Sequence, residues 1–181
     1  MRLSLAAVRG NCHFLAQGAA LLRRIPVAAY RDPARPGWAP VGSQYRHVLD
    51  HYRAFVDHWE SGSIDYDARQ RSPEIERDPQ AALAQTEAII AALDRIHVED
   101  ANRPVAVQMD CGGGQHLPDW RPSTVGRELQ FLVSHTVHHY ALIKLLLEDV
   151  GVALDRDFGV APSSIETRGE RKRENEKRGY E

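Results

Sequence analysis

The chain has 181 residues, of which 43% are hydrophobic and 27% charged, with a formal net charge of -2. These values fit one soluble globular domain or a compact pair, and the charge gives no global pull toward nucleic acid or acidic membranes. No apolar run approaches the roughly 20 residues of a membrane span, and the two distant cysteines, Cys12 and Cys111, imply no disulfide framework.

In chain order, four long helices are expected. The first runs from about Leu3 to Arg24, where Leu5, Val8, Cys12, Leu15, Ala19 and Leu22 recur at three- and four-residue steps. Arg9, Asn11 and His13 interrupt its apolar face, and no small-residue cleavage site follows, so a secretory leader is not expected and a cytoplasmic location is. "RDPARPGWAP" breaks the pattern with three prolines and a glycine and reads as a loop. The second helix covers about Val41 to Trp59, followed by "ESGSIDYD" as a connection. Asp78 is a candidate N-cap with Pro79 at the first helical position, opening a third helix that runs to about Ile96. "RPVAVQM" is a short strand candidate, and "DCGGGQHLPDW" a turn-rich connection. The fourth helix starts at Ser123 or Thr124 and ends at Gly151. The last segment, 166–181, lacks apolar periodicity and mixes its charges, which predicts a solvated tail rather than a nucleic-acid arm. Together these predict an all-α domain over 1–165, a four-helix bundle with one long crossover that has room for a short β-hairpin.

The unusual feature is "SHTVHHYALI", which sets His135, His138 and His139 on one helix. At about 100° per residue, His135 and His139 lie roughly 40° apart, the i, i+4 spacing at which two imidazoles reach one ion. His138 sits about 100° away from His139. The second helix repeats the theme with His47 and His51, and His58 falls on nearly the same face. One histidine on a buried face is ordinarily a hydrogen-bonded core residue. Two stripes on two helices are costly to bury unless each ring has a partner, and a shared cation supplies one.

Several chemistries are excluded by spacing. In "HTVHH", Thr136 stands where a zincin carries its glutamate. No Glu-x-x-His pair supports a ferritin-like di-metal site. "CGGG" lacks the Lys-Ser/Thr ending of a P-loop, and Cys111 in that glycine loop reads as incidental.

The order of a long helix, "VGSQYRHVLDHY", "IDYDARQRSPEIE", "RELQFLVSHTVHHYALI" and "FGVAPSS" resembles the DinB / YfiT-like superfamily over roughly residues 1–165. The resemblance implies a four-helix bundle, frequently a homodimer, with one divalent metal on three histidines. Matched onto this chain, these are His135 and His139 from the last long helix and His47 from the second, with His51 the rival on the same face. Gln44 stands where relatives are expected to show another histidine. Members that are similar include S-transferases and isomerases using low-molecular-weight thiols, and a similar domain in sulfoxide synthases holds iron on three histidines. Three imidazoles leave an open coordination position, as in catalytic zinc sites, and suit zinc, nickel, iron or copper alike.

Other candidates surround this core. Asp50 is placed to orient a ligand imidazole, or to be a plain solvated carboxylate. His138 is placed to support a ligand ring, to face a dimer partner or to lie on the plain surface. Glu128, two turns before His135, is a candidate base or outer acceptor, or a dipole partner at the helix start. Tyr66, Arg69 and Arg71 follow the second helix and are candidates to hold an anionic substrate, or to anchor the loop through Glu74 and Glu76. Trp38, Trp59 and Trp120 are expected to pack. Two functions of different class are expected: a metal-dependent thiol transferase or hydrolase acting on a small molecule, or a non-catalytic bundle that binds a small molecule or a partner protein.

Overall fold

The computed structural model describes residues 5–110, 112, 119–161 and 164–165. Cys111, most of its glycine-rich connection and the segment read as a charged tail lie outside the described residues.

The chain is mostly helical, with α1 (Ala6–Leu22), α2 (Val27–Arg31), α3 (Val41–His58), α4 (Pro73–Arg77), α5 (Pro79–Leu93) and α6 (Val125–Asp149). Three strands, β1 (Ser63–Asp65), β2 (Pro104–Gln108) and β3 (Arg121–Thr124), form one sheet. Two of the long helices, α5 and α6, begin where a side chain satisfies an open N–H group. Asp78 accepts from the Gln80 amide at 2.8 Å, with Pro79 in the first turn of α5. Thr124 accepts from the Arg127 amide at 3.2 Å at the start of α6. Such caps satisfy donors that helix geometry leaves unpaired.

α1, α5, α3 and α6 form a closed ring of neighbours, each packing against the next. Phe14, Leu15, Leu49, Phe55, Leu132 and Ile143 are among the buried side chains between them. Two glycines permit close crossings. A Cβ on Gly18 would overlap the Tyr140 ring, and one on Gly42 would overlap the Glu76 carbonyl, so α1 approaches α6 and α3 approaches α4 through bare backbone. Buried tyrosines bond backbone: Tyr30 donates to the Ile75 carbonyl at 2.5 Å and Tyr45 to that of Gly18 at 3.1 Å.

The crossover differs from the expected hairpin by one strand. β2 and β3 pair antiparallel, with Val105 opposite Ser123, while β1 joins β2 in parallel, with Ile64 opposite Val107. Pro122 sits on the outer strand β3, where a missing ladder donor is tolerated. The sheet does two things for the centre of the molecule. It ends in the cap of α6, and it fixes Tyr66 just beyond β1 through a bond from the Tyr66 amide to the Gln108 carbonyl at 3.0 Å. Trp59 is buried with Arg103 over its ring, but Trp38 and Trp120 are 49% and 44% exposed, so only one of the three tryptophans packs as expected.

Candidate metal centre

α3 and α6 pack side by side and bring the two histidine stripes together. His47, His135 and His139 each offer a ligand atom, and the three atoms lie within 4.8 Å of one another. The Nε2 atoms of His47 and His135 are 3.1 Å apart. Two nitrogens about 2.0–2.1 Å from one tetrahedral ion sit roughly 3.3 Å apart, so this spacing fits a shared cation. The three rings crowd face and edge, with centroids 4.5–5.0 Å apart.

Tautomers follow from the hydrogen bonds. His139 donates from Nδ1 to Gln44 Oε1 at 2.7 Å, which leaves its Nε2 lone pair facing the cluster. Gln44, noted above only as a departure, is therefore the outer partner of a candidate ligand, the arrangement that orients imidazoles at metal sites. Among the described residues, the buried Nδ1 of His135 has no hydrogen-bond partner.

Burial suppresses protonation of all these rings. Desolvation, helped by the neighbouring imidazole of His51 and by Arg69, Arg46 and Arg71, lowers His47 to about 4. His139 is also lowered to about 4, by desolvation and then by His47 and His138. Desolvation and then the other histidines push His135 down to about 2. Neutral imidazoles with free lone pairs are what a cation requires.

His51 lies outside the three-atom group. Its Nδ1 donates to the His47 carbonyl at 2.8 Å, and its ring packs 4.3 Å from that of His135 and stacks on Tyr66 at 5.5 Å. Burial is the main cause that lowers it to about 4. Tyr66 in turn donates to Glu128 Oε2 at 3.0 Å, while Ser123 donates to Oε1 at 2.5 Å. Among the described residues Glu128 bonds no imidazole; its link to the cluster runs through the Tyr66 ring. Burial first, and then the Glu128 charge, hold the Tyr66 phenol well above its ordinary value.

The remaining candidates separate. Asp50, expected to steady an imidazole, instead accepts from Arg46 Nη1 at 2.9 Å and is fully buried. Arg46 also binds Glu76 at 2.7 Å, so that carboxylate is not the partner of Arg69 or Arg71. Arg69 donates to the Tyr66 carbonyl, and its buried Nε has no partner among the described residues. Arg71 is exposed yet near enough to bear on His47. His138 is exposed and touches His139 edge-on at 5.1 Å. His58 is exposed and bonds the Ala54 carbonyl of its own helix, so it leaves the stripe.

Residues 16–143 match the family model of the DinB superfamily. The chain belongs to the DinB superfamily. Its helical architecture and the histidine cluster lie largely within the matched span. A curated relative, FK506-binding protein 5 of Rhizopus delemar, is 27% identical over 103 residues, covering 57% of this chain. The DinB-superfamily chain spans about 27% of that relative's length. Among the described residues, no helix is long and apolar enough to cross a membrane.

Proposed function

We propose that this four-helix bundle is a metal-dependent enzyme whose divalent ion, zinc, nickel or iron, is held by His47, His135 and His139. The observation that carries this reading is the convergence of three neutral imidazole nitrogens, from two helices, within 4.8 Å. Such an ion lowers the pKa of a thiol or water toward neutrality, which makes a nucleophile available. A small-molecule substrate, with a low-molecular-weight thiol as nucleophile source or water in its place, gives a transferase or hydrolase reaction.

The protein's own groups divide the work. Gln44 holds the His139 proton on Nδ1, so the opposite nitrogen stays a donor of electrons. His51 packs between Tyr66 and His135 at the edge of the cluster. Tyr66 keeps its proton on Glu128 and so positions His51 rather than trading protons. Arg71, exposed and close to His47, attracts the anionic end of a substrate. The frequent homodimer and the cytoplasmic location belong to the same reading.

The test is metal analysis of protein purified without a histidine tag. The expected result is near-stoichiometric metal, lost in His47→Ala, His135→Ala and His139→Ala. Folded wild-type protein without metal, even after dialysis against zinc, nickel and iron, would overturn the reading in favour of a non-catalytic binding bundle.

A further inference from the structure

The imidazoles of α3 and α6 are held in two different ways. His51 donates from Nδ1 to the His47 carbonyl at 2.8 Å, His58 to the Ala54 carbonyl at 3.0 Å, and His139 to Gln44 Oε1 at 2.7 Å. Such a bond fixes both the tautomer and the rotation of its ring. His135 lacks one: among the described residues its buried Nδ1 has no partner. An imidazole that gives Nε2 to an ion carries its proton on Nδ1, and an outer acceptor ordinarily holds that proton and with it the ring. The His135 ring must be fixed by packing instead.

The packing comes from Phe131, one turn earlier on α6. Phe131, His135 and His139 follow at four-residue steps, so they share one stripe of the helix. The Phe131 ring lies nearly parallel to that of His135, at an interplanar angle of 24° with centroids 5.6 Å apart, within the range of an offset aromatic stack. His51 meets the same imidazole at 4.3 Å, tilted by 47°. The centroids of His51 and Phe131 are 6.3 Å apart, so the two rings flank His135 on adjacent sides and not on opposite faces. Phe131 is steadied in turn by Tyr66, whose ring packs against it at 5.5 Å and whose hydroxyl is held by Glu128.

We propose that Phe131 is a positioning residue of the metal centre: its stacked ring sets the rotation of His135 and aims Nε2 at the ion, in place of the hydrogen bond that Gln44 gives His139. The proposal rests on the three-histidine reading above. Its test uses Phe131→Leu, which keeps apolar contact but removes the flat face, with Phe131→Met in its place should that variant not fold. Phe131→Tyr keeps the face. Zinc titration against a competing chelator is expected to find binding about three- to ten-fold weaker in Phe131→Leu and within about two-fold of wild type in Phe131→Tyr. A residue that only packs would lower the urea midpoint of metal-free protein and leave zinc affinity unchanged. NMR of metal-free protein with labelled histidine reads the ring directly, its His135 signals assigned by their loss in His135→Gln. Wild type is expected to show Overhauser contacts between the Phe131 and His135 rings, and His135 ring-proton shifts that move in Phe131→Leu and hold in Phe131→Tyr. Unchanged zinc affinity in Phe131→Leu, an equal loss in Phe131→Tyr, or His135 signals that do not respond to Phe131→Leu would overturn the proposal. Wild-type protein that shows the ring contacts but takes up no zinc would overturn the three-histidine reading itself and leave the stack a packing contact.

Discussion

α3 and α6 meet through two polar clusters that are neighbours in sequence and opposite in character. At Tyr52 and Thr136 each hydroxyl has an acceptor: Tyr52 donates to Asn11 Oδ1 at 2.6 Å and lies 3.0 Å from Thr136 Oγ1, and Asn11 donates to the Leu129 carbonyl at 2.9 Å. Thr136 donates to the Leu132 carbonyl at 2.7 Å. One residue away, at His135, Nε2 lies 3.1 Å from Nε2 of His47, and the buried Nδ1 has no partner among the described residues. A closed network finishes within the chain and locks two helices in register. The open histidine cluster is only half-buried and leaves a ring nitrogen without a partner among the described residues.

The contrast breaks most clearly at His135. His135→Ala is expected to lower metal affinity by about a thousand-fold or more, because one of three ligands is gone, while chelator-treated protein keeps its folding free energy within about 1 kcal/mol. Calorimetric metal titration and urea denaturation measure the two sides, and a large loss of apo stability would show the histidines to be structural. Asn11→Ala should do the reverse. It leaves the Tyr52 hydroxyl without its acceptor and is expected to cost about 2–4 kcal/mol in urea denaturation, with zinc stoichiometry retained in the folded fraction.

Acid should act on the open cluster alone. His47, His51 and His139 lie near 4 in the folded chain and His135 near 2, against an ordinary 6.5. The unfolded chain gains protons as pH falls through 6.5, and the folded chain does not until about pH 4. Their contribution is therefore complete above pH 6.5 and drains away between there and about 4, by on the order of 1–2 kcal/mol per imidazole after solvent screening. Urea midpoints of metal-free protein at pH 7.5 and 4.5 check this, and equal midpoints would show the rings to be solvated. The finest test is Gln44→Ala, which frees the His139 ring. A 10- to 100-fold weaker metal affinity with unchanged apo stability is expected.

What the sequence could show was what local chemistry decides. Asp78 caps α5 as read, and Thr124, one of the two residues offered, caps α6, because a cap and its amides lie within three residues. The i, i+4 pairs were equally visible. The choice between His47 and His51 was not, since about 40° on a helix wheel does not say which ring a neighbouring helix faces. Packing against α6 groups His47, and not His51, with His135 and His139. β1 and β3 escaped because three- and four-residue strands carry little periodicity, and β1 pairs in parallel with a strand some forty residues on. Asp50 and Glu128 were placed on plausible faces, but their partners, Arg46 and Tyr66, arrive from one turn earlier and from the sheet. Gln44 looked like a missing histidine; only the fold shows it serving another one.

The contact between His47 and His135 joins positions 88 residues apart. An ion gripping both would act as a reversible crosslink around most of the crossover. Like any tie across a long loop, it would shrink the freedom of the unfolded chain more than that of the folded one. Loading and removing the ion would then set how long the whole domain survives heat or protease, as well as what happens at three side chains.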